Sequence, residues 1–252
     1  MIFENSGIIR LKSTASTNQY MADRLNSGTI NEGTVVVTDA QTDGKGQEGN
    51  TWESEPGKNL TATIVLYPTF LKPEFQFQLT RIVSLSVCQL LGSFEIPSEP
   101  MIKWPNDIYL ENRKIAGILI KNEISGNTIS TTIAGLGLNI NQKSFPAKVP
   151  GAVSLTMLTG KQYNLEEILT DWHKNMAYWY EKLKNGENRI IENAYLDRMY
   201  LLNQPSVFII NGVKMNATIK GLAEYGMLLL EGDDGRQYKC SLKQVIFGGI
   251  RD

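Results

Sequence analysis

The 252-residue sequence predicts an α+β fold: a mixed-sheet unit over residues 1–202, then a small all-β unit over residues 203–252. Three observations carry this. Between residues 100 and 140, extended stretches follow one another through tight turns, unlike a regular βαβ repeat. Two segments, 77–91 and 165–183, carry apolar side chains at helical spacing. After Leu202-Asn203-Gln204-Pro205 the texture changes to five short strands, broken at Asn211-Gly212, Gly221, Tyr225-Gly226 and Asp233-Asp234-Gly235. Short strands at that density predict a small barrel.

The elements follow in order. IIRLKS is a short strand. Ser16, with Gln19 three places on, fits a capping box, so a helix starts there and stops near Asn26-Ser27-Gly28. Valine-rich GTVVVTDAQ is the next strand. A long glycine-bearing loop follows, and then LTATIVLYP, an alternating strand ended by Pro68. In FQLTRIVSLSVCQLL the positions Leu79, Ile82, Val83, Ser86 and Leu90 form one helical stripe. MIKWPNDIYL is a strand, a turn and a second short strand, with a hairpin turn at Asn112-Arg113. KIAGILIKNEI and ISTTIAGLGLNIN are two further strands joined at Ser125-Gly126-Asn127. Beyond Pro150 the chain turns helical again. Ile168, Trp172, Met176 and Trp179 share a core-facing stripe, and NRIIENAYLDRM is the next helix.

Composition excludes several classes. Apolar residues at 42% and charged residues at 20% belong to a globular protein rather than a disordered one. Lys plus Arg is 25 and Asp plus Glu is 26, so no basic excess advertises nucleic acid. No apolar run is long enough for a membrane span, and the polar start does not resemble a signal peptide, so the cytoplasm is expected. Cys88 and Cys240 stand in no metal spacing and are expected to be reduced and at least partly buried. The single histidine, His173, lies in a helical segment, which excludes a two-histidine zinc site.

The candidate site comes from five short stretches. Gly44, Gly46 and Gly49 spell G-x-G-x-x-G, but Pro56-Gly57 and a strand follow where a dinucleotide fold needs a helix. The stretch is instead a loop whose N–H groups and Lys45 suit closure over an anion. Trp52, in polar surroundings, suits a purine face or a hole in the core. In Lys103-Trp104-Pro105-Asn106-Asp107, proline stiffens a turn whose oxygens suit magnesium or a ribose. Lys114 leads a strand of small and apolar residues. Gly135 and Gly137 mark a strand that something approaches closely. Taken singly, each has a plain structural reading: a surface loop, a turn, a solvated hairpin tip.

Together, Ser16-Thr17-Asn18, QTDGKGQEGNTW, KWPND, RKIAGIL and GLGLN, in that order, resemble the biotin–protein ligases, over almost the whole chain. The resemblance implies a catalytic domain related to class II aminoacyl-tRNA synthetases and an SH3-like C-terminal domain. It implies that biotin and ATP form biotinyl-5'-AMP with loss of pyrophosphate. The acyl group then passes to a lysine of a biotin carboxyl carrier domain, with magnesium as the metal. By this resemblance Ser16, Thr17, Asn18, Gln41, Gly44, Lys45, Gly46, Lys114 and Gly117 belong to biotin. Lys45, Gln47, Gly49, Asn50, Trp52, Lys103, Asn106 and Asn139 belong to ATP or the adenylate, and Asp107 with Asn139 to the metal. Lys114 and Lys103 are the implied catalytic cations. The loop departs from the family's arginine-rich form, with Lys45, Gln47 and Glu48 in its place. Phe247 falls near a position that other members fill with arginine, and that role is not carried over. Only 12 residues precede Ser13, too few for a helix-turn-helix, so no specific DNA binding is expected. The resemblance allows a homodimer. The nearest alternative is a lipoate–protein ligase or an acyl-carrier transferase of the same general fold.

Overall fold

A computed structural model describes residues 2–147, 149 and 151–248. Strand β1 (Ile8–Thr14) pairs in parallel with β2 (Val35–Gln41) through the crossover helix α1 (Thr17–Ser27). The remaining neighbours are antiparallel: β3 (Leu60–Leu66), β7 (Thr128–Leu138), β6 (Arg113–Ser125), β5 (Asp107–Leu110) and β4 (Met101–Lys103), in that spatial order. The sheet is therefore mixed and seven-stranded.

Side chains alternate across a strand, so consecutive residues report the two faces. Val35, Ile64 and Ala134 join the large core with Leu79, Ile82, Leu169 and Trp172. Those partners come from α2 (Phe77–Leu91) and α4 (Leu165–Lys184). The next residues along, Val36 and Val65, with Ile133, pack instead against Met21 of α1. Strand β3 is buried at all seven positions, because helices cover both its faces. Its sequence therefore reads as a continuous apolar run more than as an alternation. Helix α3 (Leu155–Thr159) and helix α5 (Asn188–Asp197) complete this unit.

Local expectations fare unevenly. Ser16 is the N-cap of α1, but the capping box does not form. Gln19 donates to Asp23 Oδ1 at 2.8 Å, a pairing four residues apart on the helix surface. The first-turn N–H of Thr17 is satisfied by Gln41 Oε1 at 2.8 Å, reaching over from β2. The hairpin before β6 turns on Glu111 and Asn112, both at positive φ (49° and 63°), and Arg113 is already in the strand. His173 is half-buried, with Nε2 2.9 Å from Gly33 O.

Residues beyond 204 form β8 (Pro205–Ile210), β9 (Val213–Leu222), β10 (Leu228–Gly232), β11 (Gln237–Cys240) and β12 (Val245–Phe247). They make an antiparallel sheet in the order β11-β10-β9-β8-β12, and no pairing joins β11 to β12 among the described residues. The five strands are those expected, but among the described residues no sheet closes into a barrel. Residues 249–252 of the expected second domain lie outside the described residues. This sheet meets the first unit at Gly226. Its carbonyl accepts from Trp104 Nε1 at 2.8 Å, and a Cβ there would fall 2.2 Å from Phe77 Cγ.

Both cysteines are free and buried. Burial pushes the Cys88 thiol from 9.0 up to about 12. The native state therefore keeps this proton where the unfolded chain has lost it. The resulting stabilisation is complete below pH 9 and is lost as pH rises from 9 towards 12. Iodoacetamide at pH 8 is expected to modify Cys88 only in denaturant. Rapid labelling of the native protein at this position would show that the thiol is accessible.

Candidate active site

Sheet register sets one residue from each of six strands in a line. Thr38 pairs with Thr61, Thr61 with Gly137, Gly137 with Gly117, Gly117 with Asp107, and Asp107 with Lys103. Paired residues share a face. It is the face of α1, since Thr61 has the parity of Val65, and Gly137 that of Ile133. The parallel row two residues along is Thr63, Gly135 and Leu119. Above these rows lies a cavity of about 370 Å³.

The α1 end of the cavity is polar. Asn18 lies directly on Gly135, where a Cβ would stand 2.3 Å from its Oδ1. Asn18 Nδ2 donates to Leu119 O at 3.1 Å. Thr63 Oγ1 lies 2.6 Å from Asn18 Oδ1 and 2.8 Å from Thr17 Oγ1, and Thr17 in turn donates to Gln41 Oε1. Ser16, Thr17 and Asn18 are all buried. This corner holds hydrogen-bond donors and acceptors in fixed positions without a charge.

Gly137 and Gly117 form the middle of the floor, and Trp52 lies on it. A Cβ on Gly137 would sit 2.2 Å from Trp52 Cε2, and one on Gly117 3.2 Å from Cζ3. The glycines expected to admit a close approach thus admit the chain's own tryptophan and Asn18. Trp52 Nε1 is buried and has no hydrogen-bond partner. The ring arrives on a small closed hairpin. Trp52 N–H donates to Gly44 O at 2.9 Å, Gly46 N–H to Asn50 O at 2.7 Å, and Lys45 bridges Thr51. Gly44 has no room for a side chain: a Cβ would be 2.3 Å from Trp52 O.

The far end is charged. Lys114 Nζ and Asp107 Oδ2 are 2.7 Å apart and about a third and a fifth exposed, so Lys114 is not a freely solvated hairpin tip. A β-bulge aims it. Pairing runs Asp107 with Gly117 and Ile108 with Ala116, then skips Ile115 to match Tyr109 with Lys114. The extra residue turns Lys114 onto the face of Gly117, where a Cβ would lie 3.4 Å from Lys114 Cε and 3.5 Å from Asp107 Oδ1. Lys103, only 5% exposed, puts Nζ 3.2 Å from Tyr109 OH. Asn106 lines the cavity, but its Nδ2 donates to Ile118 O.

Most expected site residues are therefore gathered here: Lys45, Gly46, Gln47, Asn50 and Trp52 on the loop side, the rest on α1 and the sheet. Gly44, Gly49 and Asn139 lie outside the lining. Asn139 is buried past the end of β7, with its N–H on Ile115 O and its Oδ1 unpartnered. The C-terminal unit supplies a further wall, made by Lys243, Val245, Ile246 and Phe247, of which the sequence reading named Phe247 without giving it a role. Nothing in the local pattern marks Lys243, Val245 and Ile246 as site residues.

The family model for the biotin/lipoate A/B protein ligases matches residues 10–139, just over half of the chain. The chain belongs to this family. It is 31% identical over 219 residues to a biotin–[acetyl-CoA-carboxylase] ligase of Paracoccus denitrificans, covering 85% of this chain and 90% of that one. It is 27% identical to the bifunctional ligase/repressor BirA of Escherichia coli, over 86% of this chain and 67% of the relative. Among solved structures it is similar to the Aquifex aeolicus biotin protein ligase in complex with biotin and ATP. There the TM-score is 0.78 at 27% identity, over 95% of this chain and 97% of that one. The ligase family match takes in the α1 corner, the loop, Lys103 and Lys114 and stops at Asn139, so the wall built by β12 lies beyond it.

Proposed function

We propose that this chain is a biotin–protein ligase that makes biotinyl-5'-AMP from biotin and ATP and transfers the biotinyl group to a carrier lysine. The observation that carries the reading is the meeting at Gly117: a cation, a carboxylate and an indole converge on one strand position, next to an uncharged polar corner. The corner of Thr17, Asn18, Gln41 and Thr63 suits a ureido ring, which presents one carbonyl acceptor and two N–H donors. Lys114 then lies where the acid's carboxylate meets the α-phosphate. A carboxylate oxygen attacks that phosphorus, the bond to the β-phosphate breaks, and pyrophosphate leaves. Lys114 and Lys103 offset the charge that accumulates among these anions, so no protein nucleophile is needed. In the second step the neutral ε-amine of a carrier lysine attacks the acyl carbon, AMP leaves, and the amine's proton goes to water. The acceptor is a biotin carboxyl carrier domain.

Among the described residues, Asp107 is the one carboxylate lining the cavity, and no cluster of three His, Cys, Asp or Glu side chains could hold a metal. That donor set fits a magnesium ion arriving on nucleotide phosphates, with Asp107 as its protein ligand, rather than a caged ion. Bound there, magnesium would neutralise phosphate charge. Asn139, with its side chain outside the lining, is a poorer candidate. No helix among the described residues is long and apolar enough to cross a membrane. We place the reaction in the cytoplasm, without specific DNA binding. We also read the two units, with a boundary near residue 203, as a class II synthetase-like domain and an SH3-like domain.

The test is ATP–pyrophosphate exchange driven by a panel of small carboxylic acids, followed by labelling of a carrier domain. Biotin is expected to drive exchange and to appear on one carrier lysine. Exchange with lipoate or octanoate in place of biotin would overturn the assignment. The Gly44–Trp52 hairpin is also expected to tighten on the adenylate, because few hydrogen bonds close it and Lys45, Gly49, Asn50 and Thr51 are exposed. Limited proteolysis between Asp43 and Thr51 should slow markedly with biotin plus ATP, and equal rates in both conditions would count against closure.

A further inference from the structure

Trp52 raises a physical question. Its indole lies on Gly137 and Gly117, yet its buried Nε1 makes no hydrogen bond, so the ring is seated by packing and not by a polar tether. Packing is unforgiving of displacement: a gap of about 0.5–1 Å forfeits a quarter to a half of the attraction. Something must therefore fix the backbone that carries the ring. On the incoming side are the few closing bonds of the hairpin. The return side, residues 53–58, is held in another way.

Two buried carboxamides hold it. Gln142 Oε1 accepts from the Glu55 N–H at 3.1 Å and from Asn59 Nδ2 at 2.6 Å. Asn59 Nδ2 also donates to Ser54 Oγ at 3.0 Å, and Asn59 Oδ1 accepts from the Ile140 N–H at 2.9 Å. Gln142 Nε2 donates to Ser144 O at 2.9 Å. Every polar atom of the pair is thus used, at 3% and 5% exposure. Asn59 leads into β3, and Gln142 follows β7. Thr61 of β3 and Gly137 of β7 are partners in the cavity floor. Staple and floor therefore stand on the same two strands, and that frame sets the height of the indole over Gly137. A pair that served only the core would join its own strands. This one reaches outward to Ser54 and Glu55, just past Trp52, while neither carboxamide lines the cavity.

We propose that Gln142, with Asn59, is a positioning residue for the nucleotide. It pins the return side of the loop, so the indole keeps its place over Gly137 while the outer part of the hairpin opens and closes. The proposal rests on the ligase reading for the identity of the ligand that the indole covers.

Gln142→Met keeps the length of the side chain and removes Oε1, the acceptor for both Glu55 and Asn59. The readouts are Kd for MgATP and for biotin, in the parent and in a Trp52→Ala background, with thermal midpoints to verify folding. Gln142→Met is expected to bind MgATP about tenfold more weakly, within the range of a lost base-stacking contact. Biotin affinity should stay within about twofold, a difference of ~0.4 kcal/mol. In the Trp52→Ala background the substitution should add no more than about twofold for either ligand, because the ring it positions is gone. Should the methionine protein fail to fold, Ser54→Ala removes the Asn59 tether instead and should weaken MgATP about threefold, with the same loss of effect when Trp52 is absent. A residue that only supports the fold would weaken both ligands together or keep its full effect without the indole. Either result overturns the proposal, as does an unchanged MgATP affinity. A second readout needs no ligand: amide hydrogen exchange at Glu55, with Ala62 in the middle of β3 as the control. Glu55 is expected to exchange about tenfold faster in Gln142→Met while Ala62 keeps its rate. Equal Glu55 rates, or acceleration at both positions, overturn the proposal. If the parent itself binds no ATP, the ligase reading fails, and the exchange result still decides whether Gln142 holds the loop.

Discussion

Lys114→Ala is expected to slow formation of biotinyl adenylate by about 10² or more, the scale seen when an electrostatic donor to a transition state is lost. In the free protein Lys114 Nζ is 2.7 Å from Asp107 Oδ2. Its removal does more than delete one cation. It leaves a carboxylate facing two further anions, the acid and the triphosphate, and their mutual repulsion rises as they approach. Stability should change little, because the pair is partly exposed and such pairs contribute about 0–1 kcal/mol. Lys114→Arg should not rescue the rate. The side chain crosses Gly117 between Trp52 and Asp107, and a planar guanidinium is too broad for that gap. Single-turnover formation of the adenylate by the three proteins is the measurement. A Lys114→Ala rate within about twofold of the parent, a barrier change under ~0.5 kcal/mol, would remove Lys114 from the mechanism.

Gly137→Ala is expected to be nearly as damaging through a different route. The added methyl would sit 2.2 Å, 2.5 Å and 2.6 Å from Trp52 Cε2, Cζ2 and Nε1, and a rigid indole can yield only by moving as a whole off the sheet. Gly137 is not among the positive-φ glycines, so the strand itself accepts alanine and the cost falls on Trp52. With the indole lifted, nucleotide affinity should fall by about tenfold or more, since lost base stacking costs roughly 1–3 kcal/mol. The diagnostic is non-additivity. In a Trp52→Ala background the same change should have almost no further effect, because the indole that the methyl meets is then gone. Isothermal titration with MgATP across the four proteins decides it. Additive losses would mean that Gly137 acts on the sheet and not through Trp52.

Much of this was legible in the sequence, and the misses have physical causes. Element types followed from periodicity, as in the Leu79 to Leu90 stripe of α2. The grouping of Ser16, Thr17, Asn18 and Gln41 came from resemblance, and the fold brings them together through a carboxamide reaching from β2 to the start of α1. The capping box failed because Gln19 had a better local partner in Asp23, a competition that spacing alone does not reveal. The orientation of Lys114 was illegible. By strand parity it shares a face with Ile118, and only the bulge at Ile115 turns it to the cavity. Gly135 and Gly137 announced a close approach but not what approached. Phe247 was singled out only as falling near a position that other members fill with arginine, and that it lines the cavity depends on how the C-terminal strands fold back.

The six-strand line from Thr38 to Lys103 couples chemistry to folding. Each member is delivered by a different strand, and side chains alternate with a period of two. A slip of one residue in most of these pairings would hide that strand's contribution among the apolar side chains and push an aliphatic side chain, such as Leu136 or Ile118, into the cavity. A partly assembled sheet therefore does not have a weakened site; it has none. Ligands that span the line select the one fully registered arrangement. Their binding free energy should protect amides along β3, β7 and β6 against hydrogen exchange, far from any atom they touch, so that occupancy proofreads the register of the whole sheet.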